Sequence, residues 1–301
     1  MRFVTYRTRS SSTVSPLIPG LAVAGDVIDL LAAERMLGLA LPRDPMEMLR
    51  GGEATADLLR EVDARAADLG ECRVPEGSVV LGPPVPRPGK IVCVGLNYRR
   101  HAFETGNPPP SEPILFSKFG NTIAGPSDSV AIGGLAQVDY EAELAFVIGR
   151  QAKNVVAERS LEYVAGYLNA NDVSEREMQM RSGQWLLGKT LDRFLPIGPY
   201  FVSADEVGDP GRLPVRGWLN GEVRQDSDTS DLIFSVEEIV AYVSRVMTLE
   251  PGDLICTGTP EGVVLGMEER VWVAPGDVYE IEIGPLGRLA TRFVSELEAN
   301  E

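Results

Sequence analysis

The sequence has few of the side chains that usually bind zinc or form disulfide scaffolds. It contains one histidine, His101, and three cysteines that lie far apart in the chain. No two cysteines form a CxxC pair, so neither a zinc cage nor a disulfide framework is indicated. Sparse, unpaired cysteines fit a reducing compartment, and we expect a cytoplasmic protein.

Basic residues and long apolar segments are also scarce. With 28 lysines and arginines against 44 aspartates and glutamates, the 301-residue chain has a formal net charge of −16. This balance argues against nucleic-acid binding, which needs a basic surface. No apolar run approaches the ~20 residues of a membrane span, so no membrane association is expected. Hydrophobic residues make up 44% of the chain, which is typical of a globular protein.

Composition divides the chain into three parts. Residues 1–70 contain two apolar segments spaced as a hairpin, followed by a helix around residues 57–63, and predict a small N-terminal α/β domain. Residues 71–89 are rich in proline and glycine and are interpreted as a linker. Residues 90–301 alternate short strands with turns, including an Asn220-Gly221 hairpin turn and a helix capped by Ser235. The predicted fold class is therefore α+β and mainly β.

An acidic strand is the most informative local pattern. Residues 138–148 alternate strictly between apolar and other side chains, as a β-strand does. Glu141 and Glu143 then share one face, and that face becomes apolar at its end. Two like charges on a buried face repel each other unless a positive group lies between them. A divalent cation would supply this positive charge. A half-exposed strand with hydrated glutamates explains the strand pattern equally well.

Asp172 is a candidate third ligand. It follows a predicted strand and precedes a helix that Ser174 and Glu177 are expected to cap as a second capping box. On its own, Asp172 would be an ordinary turn aspartate. A site made of Glu141, Glu143 and Asp172 offers only oxygen ligands, which suit hard cations, so the expected ion is Mg²⁺ or Mn²⁺.

The single histidine has an acidic neighbour at helical spacing. If the segment is helical, His101 and Glu104 lie three residues apart on one face. A carboxylate beside an imidazole raises its basicity and fixes its tautomer, which produces a general base able to activate water. The alternative is a surface histidine with a helical neighbour.

Six separated motifs occur together in this chain. They are Gly95-Leu96-Asn97-Tyr98-Arg99-x-His101-Ala102-x-Glu104, Asp139-Tyr140-Glu141-Ala142-Glu143-Leu144, Asn171-Asp172-Val173-Ser174-x-Arg176, Gly188-Lys189-x-x-Asp192, Leu219-Asn220-Gly221-Glu222 and Thr257-Gly258-Thr259-Pro260. In this order they resemble the fumarylacetoacetate hydrolase family, in its broad bacterial branch. The resemblance extends from about Lys90 to Val294.

The resemblance implies a mixed β-roll catalytic domain, commonly a homodimer, with a small N-terminal domain. It implies Mg²⁺ or Mn²⁺ on the positions of Glu141, Glu143 and Asp172, with Lys189 near the metal. His101 and Glu104 match the pair with which hydrolytic members activate water. The expected substrate-contacting residues are Arg176, Gln179, Thr259 and Tyr98.

These expectations combine into a metal-dependent enzyme for a small anionic 2-oxo acid. Because His101 and Glu104 are both present, hydrolytic C–C cleavage of an acylpyruvate-like 2,4-dioxo acid is favoured. Decarboxylation of oxaloacetate, and isomerisation or decarboxylation of a hydroxymuconate-type diacid in aromatic catabolism, are the alternatives. A non-catalytic metal-binding interaction module is the alternative from another class, and the joint presence of His101, Glu104 and Lys189 argues against it.

Overall fold

The computed structural model describes residues 1–9 and 15–296. Within these residues lie nineteen β-strands and eight α-helices. The strands are β1 Arg2–Thr8, β2 Ile18–Val23, β3 Asp26–Asp29, β4 Arg73–Pro75, β5 Val79–Gly82, β6 Ile91–Gly95, β7 Ile114–Lys118, β8 Ile123–Ala124, β9 Ser129–Ala131, β10 Val138–Asp139, β11 Ala142–Ile148, β12 Val164–Asn171, β13 Ser174–Glu175, β14 Leu195–Ser203, β15 Pro214–Leu219, β16 Glu222–Asp228, β17 Leu254–Cys256, β18 Val278–Ile283 and β19 Arg288–Val294. The helices are α1 Leu30–Leu37, α2 Pro45–Arg50, α3 Gly52–Ala64, α4 Arg99–Glu104, α5 Arg176–Met180, α6 Leu186–Lys189, α7 Ala204–Val207 and α8 Val236–Val246.

Most of the strands belong to two sheets. The main sheet has twelve strands in the order β4-β3-β2-β1-β14-β12-β11-β17-β6-β7, with β5 beside β1 and β8 beside β14. The second sheet has five strands in the order β16-β15-β18-β19-β9. Parallel pairs such as β17–β6 occur among antiparallel ones, so the sheets are mixed. This sheet-dominated α+β architecture confirms the predicted fold class.

Strand β11 is covered on both faces, as its sequence pattern predicted. Leu144 and Phe146 pack in a core with the second sheet and with α8. Ala145 and Val147 on the opposite face pack in another core that includes residues of the N-terminal helices. Glu143 lies on this second face and is 2% exposed, so the half-exposed alternative is excluded.

The N-terminal region joins the main sheet directly. The predicted hairpin is β2–β3, and the predicted helix lies within α3. Strand β1 pairs antiparallel with β14, and β4 and β5 pair with β3 and β1. Residues 71–89, which their composition predicted to be a linker, therefore contain the strands β4 and β5. The backbone N–H and C=O groups of these two strands pair with β3 and β1. The division into 1–70, 71–89 and 90–301 as separate units stays a prediction.

The prediction of one continuous strand over residues 138–148 is wrong. Residues 140 and 141 separate β10 from β11. The Glu141 N–H donates to Asn171 Oδ1 at 3.1 Å, and the Ala142 N–H donates to Gln225 Oε1 at 2.9 Å. Strand β10 pairs with β13, whereas β11 pairs with β12. At the break between β10 and β11, side-chain oxygens therefore accept the backbone N–H groups that a neighbouring strand would otherwise bind.

The predicted second capping box is also wrong. Helix α5 begins at Arg176, and the Glu175 carboxylate accepts the Met178 N–H at 2.7 Å as its cap. Ser174 instead pairs with Asp139 between β13 and β10, so its backbone is still extended. The Ser235 capping box and the Asn220-Gly221 turn are confirmed. Among the helices of the described residues, none is long and apolar enough to cross a membrane.

Candidate active site

The three predicted carboxylates meet at one end of β11 and β12. These strands pair antiparallel with Ala142 opposite Asn171, and the Asp172 N–H donates to the Glu141 carbonyl at 3.0 Å. One carboxylate oxygen from each of Glu141, Glu143 and Asp172 lies within 4.8 Å of the others, and all three residues are buried. We call these three residues the carboxylate cluster.

Two buried lysines contact the carboxylate cluster. Lys189 Nζ lies 2.8 Å from Glu141 Oε2 and 2.8 Å from Asp172 Oδ2, so it bridges the two acids. Lys118 Nζ lies 2.6 Å from Asp172 Oδ1. Burial alone would lower the pKa of Lys189, but the charges of Asp172 and Glu141 raise it, and the ammonium stays protonated.

An arginine extends this ionic network. Arg176 Nη2 lies 2.7 Å from Asp139 Oδ2 and 2.8 Å from Glu141 Oε1. Its Nη1 donates to Gln179 Oε1 at 2.9 Å. The Asp139 carboxylate accepts in turn the backbone N–H groups of Val264 and Leu265, at 2.8 and 3.0 Å. The guanidinium is therefore held rigidly at the border of the carboxylate cluster.

Glu141 and Glu143 have opposite electrostatic environments. Burial alone would raise the pKa of Glu141, but Lys189 and Arg176 lower it to about 2. Glu143 Oε2 accepts the Gly258 N–H at 2.9 Å, and no lysine, arginine or histidine of the described residues forms an ion pair with it. Burial, followed by the nearby charge of Asp172, raises the pKa of Glu143 well above its ordinary value. The network therefore lacks a positive charge at Glu143.

The chemistry of these donors fits a divalent cation. An ionised carboxylate has about four lone-pair sites, so Glu141 and Asp172 can bind a metal while keeping their bonds to Lys189, Lys118 and Arg176. Oxygen-only ligands suit Mg²⁺ or Mn²⁺. The uncompensated carboxylate of Glu143 supplies the electrostatic reason for binding a cation there.

The histidine–glutamate pair forms as predicted, on helix α4. His101 Nδ1 lies 2.9 Å from Glu104 Oε1. The Gly262 N–H donates to both Glu104 oxygens, at 3.1 and 3.0 Å, and fixes the carboxylate. When the Glu104 carboxylate accepts a hydrogen bond from the protonated Nδ1 of His101, the other ring nitrogen, Nε2, is the one that can exchange protons with a substrate.

A cavity of about 260 Å³ joins the pair to the carboxylate cluster. Seven predicted site residues line it, namely His101, Glu141, Glu143, Arg176, Gln179, Lys189 and Thr259. Glu104 and Asp172 lie outside this lining and contact the lining residues His101 and Lys189. Tyr98 is fully buried and is not among the lining residues, so the structure does not bring it to the cavity.

Three polar residues of the site were not assigned a role from the sequence. Lys118 ends an apolar strand and looks like any surface lysine, although its side chain is buried. Gln225 donates to Thr259 Oγ1 at 2.9 Å and accepts the Ala142 N–H, from a strand whose pattern suggests exposure. Asp139 had a signal, since it shares the acidic face of the predicted strand.

The sequence also matches a protein-family model. The model of the fumarylacetoacetate (FAA) hydrolase C-terminal region covers residues 90–294. The chain belongs to the fumarylacetoacetate hydrolase family. This confirms the resemblance seen in its motifs, and the chain is an enzyme of this family.

Among curated relatives, the chain is 44% identical to a mitochondrial oxaloacetate tautomerase of Bos taurus over 273 residues, 90% of this chain and 84% of that protein. It is 40% identical to one of Xenopus laevis over 299 residues, 98% of this chain and 90% of that protein.

Solved structures of this family superimpose on nearly the whole chain. A maleylpyruvate hydrolase of Sphingobium sp. SYK-6, in complex with manganese(II) and pyruvate, has a TM-score of 0.79 and 32% identity, and covers 98% of this chain and 99% of its own. A fumarylacetoacetate hydrolase of Exiguobacterium antarcticum has a TM-score of 0.80 and 31% identity, over 98% and 100% of the two chains. The names of the two curated relatives specify mitochondria, whereas we predicted a cytoplasmic location for this protein. The cytoplasmic location and the homodimer both stay predictions.

Proposed function

We propose that this enzyme catalyses keto–enol tautomerisation of a small 2-oxo diacid of the oxaloacetate class. One observation carries the proposal: the imidazole of His101 and the carboxylates of Glu141 and Glu143 line the same cavity of about 260 Å³. This volume lies below the ~300–1,000 Å³ of sites for drug-sized ligands and suits an acid of few carbons. Two relatives at 44% and 40% identity, both named oxaloacetate tautomerases, support the choice of reaction.

Tautomerisation transfers protons without breaking the carbon chain. The keto form loses a proton from C3 while its keto oxygen gains one, and the enol form reverses both changes. The reaction therefore needs a positioned acid–base group and stabilisation of negative charge on the keto oxygen. In the keto-to-enol direction His101 Nε2 takes the C3 proton and the keto oxygen takes a proton from solvent water. In the reverse direction His101 gives a proton to C3 and the enol oxygen releases its proton to water. Glu104 contacts Nδ1 and stabilises the protonated ring.

The remaining residues bind and orient the acid. Glu141, Glu143 and Asp172 would hold Mg²⁺ or Mn²⁺, which when bound supplies Lewis acidity toward the oxygens of a 2-oxo acid. Lys189 keeps Glu141 and Asp172 in position through its two 2.8 Å contacts. Arg176, with Gln179 beside it on α5, forms a polar wall suited to the distal carboxylate of a diacid.

Hydrolysis of an acylpyruvate-like 2,4-dioxo acid is the second candidate. The His101–Glu104 pair favours it, since the same base can activate water for attack on the distal carbonyl. The maleylpyruvate hydrolase at 32% identity also supports it. We rank it second because relatives of higher identity are named tautomerases. Decarboxylation of oxaloacetate and isomerisation of a hydroxymuconate-type diacid use the same enol chemistry, and pyruvate release from oxaloacetate in the test below reports the decarboxylation.

The test follows enol and product separately. Enol-oxaloacetate is diluted from an aprotic solvent into buffer, and the decay of its ultraviolet absorbance is recorded with enzyme plus Mg²⁺ or Mn²⁺, or with EDTA. Pyruvate release from oxaloacetate and from acetylpyruvate is measured in parallel. We expect metal-dependent acceleration of enol decay and no pyruvate above background. Pyruvate release from acetylpyruvate without faster enol decay would instead establish the hydrolase.

A further inference from the structure

Two aromatic side chains separate the active-site cavity from a second, larger cavity. Phe116 and Trp185 line the cavity of about 260 Å³ and also a neighbouring cleft of about 530 Å³. Their rings meet edge to face, with centroids 5.4 Å apart and planes at 70°. We call this pair the aromatic wall.

The indole ring of Trp185 lies directly against the backbone of β6. A Cβ added at Gly95 would come within 2.4 Å of Trp185 Cζ3 and 2.7 Å of Cη2. Gly95 itself lines the active-site cavity. The glycine is needed here for space, because no side chain fits between the strand and the outer part of the indole ring.

The cleft beyond the aromatic wall is largely apolar. Ile91, Val92, Leu115, Leu186 and Met247 contribute to its lining. Two lysines also belong to this lining, and both ammonium groups have acidic partners. Lys118 Nζ donates to Asp172 and to the Val173 carbonyl at 2.6 and 3.1 Å, and Lys90 Nζ donates to Asp253 at 2.6 Å. A hydrocarbon chain suits this cleft better than a second carboxylate does.

We propose that Trp185 is a specificity-determining residue that limits the chain length of the substrate. Its ring closes the active-site cavity against the apolar cleft, so a short 2-oxo acid fits and a longer one is excluded. Removal of the ring joins the two spaces and admits an apolar tail. The inference rests on the proposed function, because it assumes that the oxo-acid end of the substrate binds at the carboxylate cluster.

The experiment measures enolisation along a series of linear 2-oxo acids, from 2-oxobutanoate to 2-oxooctanoate. Exchange of the C3 hydrogens in D₂O, followed by NMR with Mg²⁺ present, reports the reaction for every chain length. In W185A we expect the ratio of the C8 to the C4 exchange rate to rise at least about tenfold, the effect of a methylene gained in an apolar pocket. W185F lacks the outer ring that reaches Gly95 and should give a smaller rise.

L186A is the matched control, because Leu186 lines the cleft but not the active-site cavity. It should keep the chain-length profile of the wild type. An unchanged ratio in W185A and W185F, or an equal rise in L186A, would overturn the inference. So would a wild type that already exchanges the C8 acid as fast as the C4 acid.

A binding measurement separates this inference from the proposed function. The shift of the melting temperature by each acid, in the presence of Mg²⁺, gives a chain-length profile that does not require turnover. A wild type without tautomerisation of oxaloacetate would contradict the proposed function, and the binding profiles of wild type and W185A would still decide the role of Trp185. A wild type that turns over short acids, with W185A sharing its binding profile, would contradict only the role of Trp185.

Discussion

The carboxylate cluster and the His101–Glu104 pair border one cavity but are held by different parts of the molecule. The cluster lies where the central strands β11 and β12 meet, with Glu143 on β11, Glu141 just before it and Asp172 just after β12. Asp172 and its lysine partners are at most 2% exposed. The pair lies on the six-residue helix α4, where the His101 and Glu104 side chains are 8% and 20% exposed. The carboxylate cluster is part of the protein core, whereas the His101–Glu104 pair lies at the edge of the core and is partly exposed.

This difference separates folding from chemistry. Each charge of the buried network depends on a partner, since an unpaired buried charge is strongly destabilising. Among residues 1–9 and 15–296, His101 has one side-chain partner, Glu104, and it faces the cavity, so its loss leaves no fully buried charge behind. Substitutions that break an ion pair of the buried network should therefore change stability, whereas substitutions in the His101–Glu104 pair should change activity alone.

The largest expected effect is on turnover, in H101A. Removal of a general acid–base group costs about 10²–10⁴-fold in rate, and we expect this loss in enol decay. The melting temperature should change little, because no ion pair of the core is broken. E104Q is the companion variant and should lose less, because it keeps an acceptor for Nδ1. If H101A retained the wild-type rate, or melted far below the wild type, the separation of chemistry from folding would be wrong.

The next effect is on stability, in K118M. Methionine fills the space of the lysine stem but leaves Asp172 with one cation in place of two. Breaking a buried ion pair costs about 3–5 kcal/mol of unfolding free energy. The matched control is R181A, which breaks the exposed Arg181–Glu177 pair at 2.8 Å and should cost less than about 1 kcal/mol. Urea unfolding in EDTA measures both, and equal losses would show that the lysine is not part of the core.

The same contrast explains how far the sequence alone predicts this fold. Residues 142–148 were predicted correctly as a strand covered on both faces, because apolar periodicity is a local signal. Its extension back to residue 138 was wrong, because the break depends on Asn171 and Gln225 from distant strands. The strands at 73–75 and 79–82 were missed because pairing with β3 and β1 outweighed a proline- and glycine-rich composition.

The site shows the same limit. Glu141 and Glu143, and likewise His101 and Glu104, were proposed because the two members of each pair lie close together in sequence. Lys118 was missed, because a lysine at the end of a strand is identical in sequence whether it meets solvent or a buried aspartate 54 residues away. Local patterns therefore predicted the acids and the base, while the compensating charges became visible only with the tertiary contacts.

The smallest effect concerns Glu143, the one acid of the carboxylate cluster without a cation, and it tests the metal directly. Mg²⁺ at a hundredfold excess over its dissociation constant should stabilise the folded wild type by about 2.7 kcal/mol, because the ion binds only where the carboxylates converge. E143Q should lose most of this stabilisation and the metal-dependent activity.

In EDTA, E143Q should melt no lower than the wild type, because glutamine can still accept the Gly258 N–H and resembles the neutral carboxyl that burial and the charge of Asp172 favour. The exposed Glu177→Gln variant is the control and should respond to Mg²⁺ as the wild type does. Thermal melts at matched ionic strength measure all three proteins. Superimposable wild-type curves with Mg²⁺ and with EDTA would mean that Mg²⁺ does not bind at the carboxylate cluster, and the electrostatic reason for a metal at this site would no longer hold.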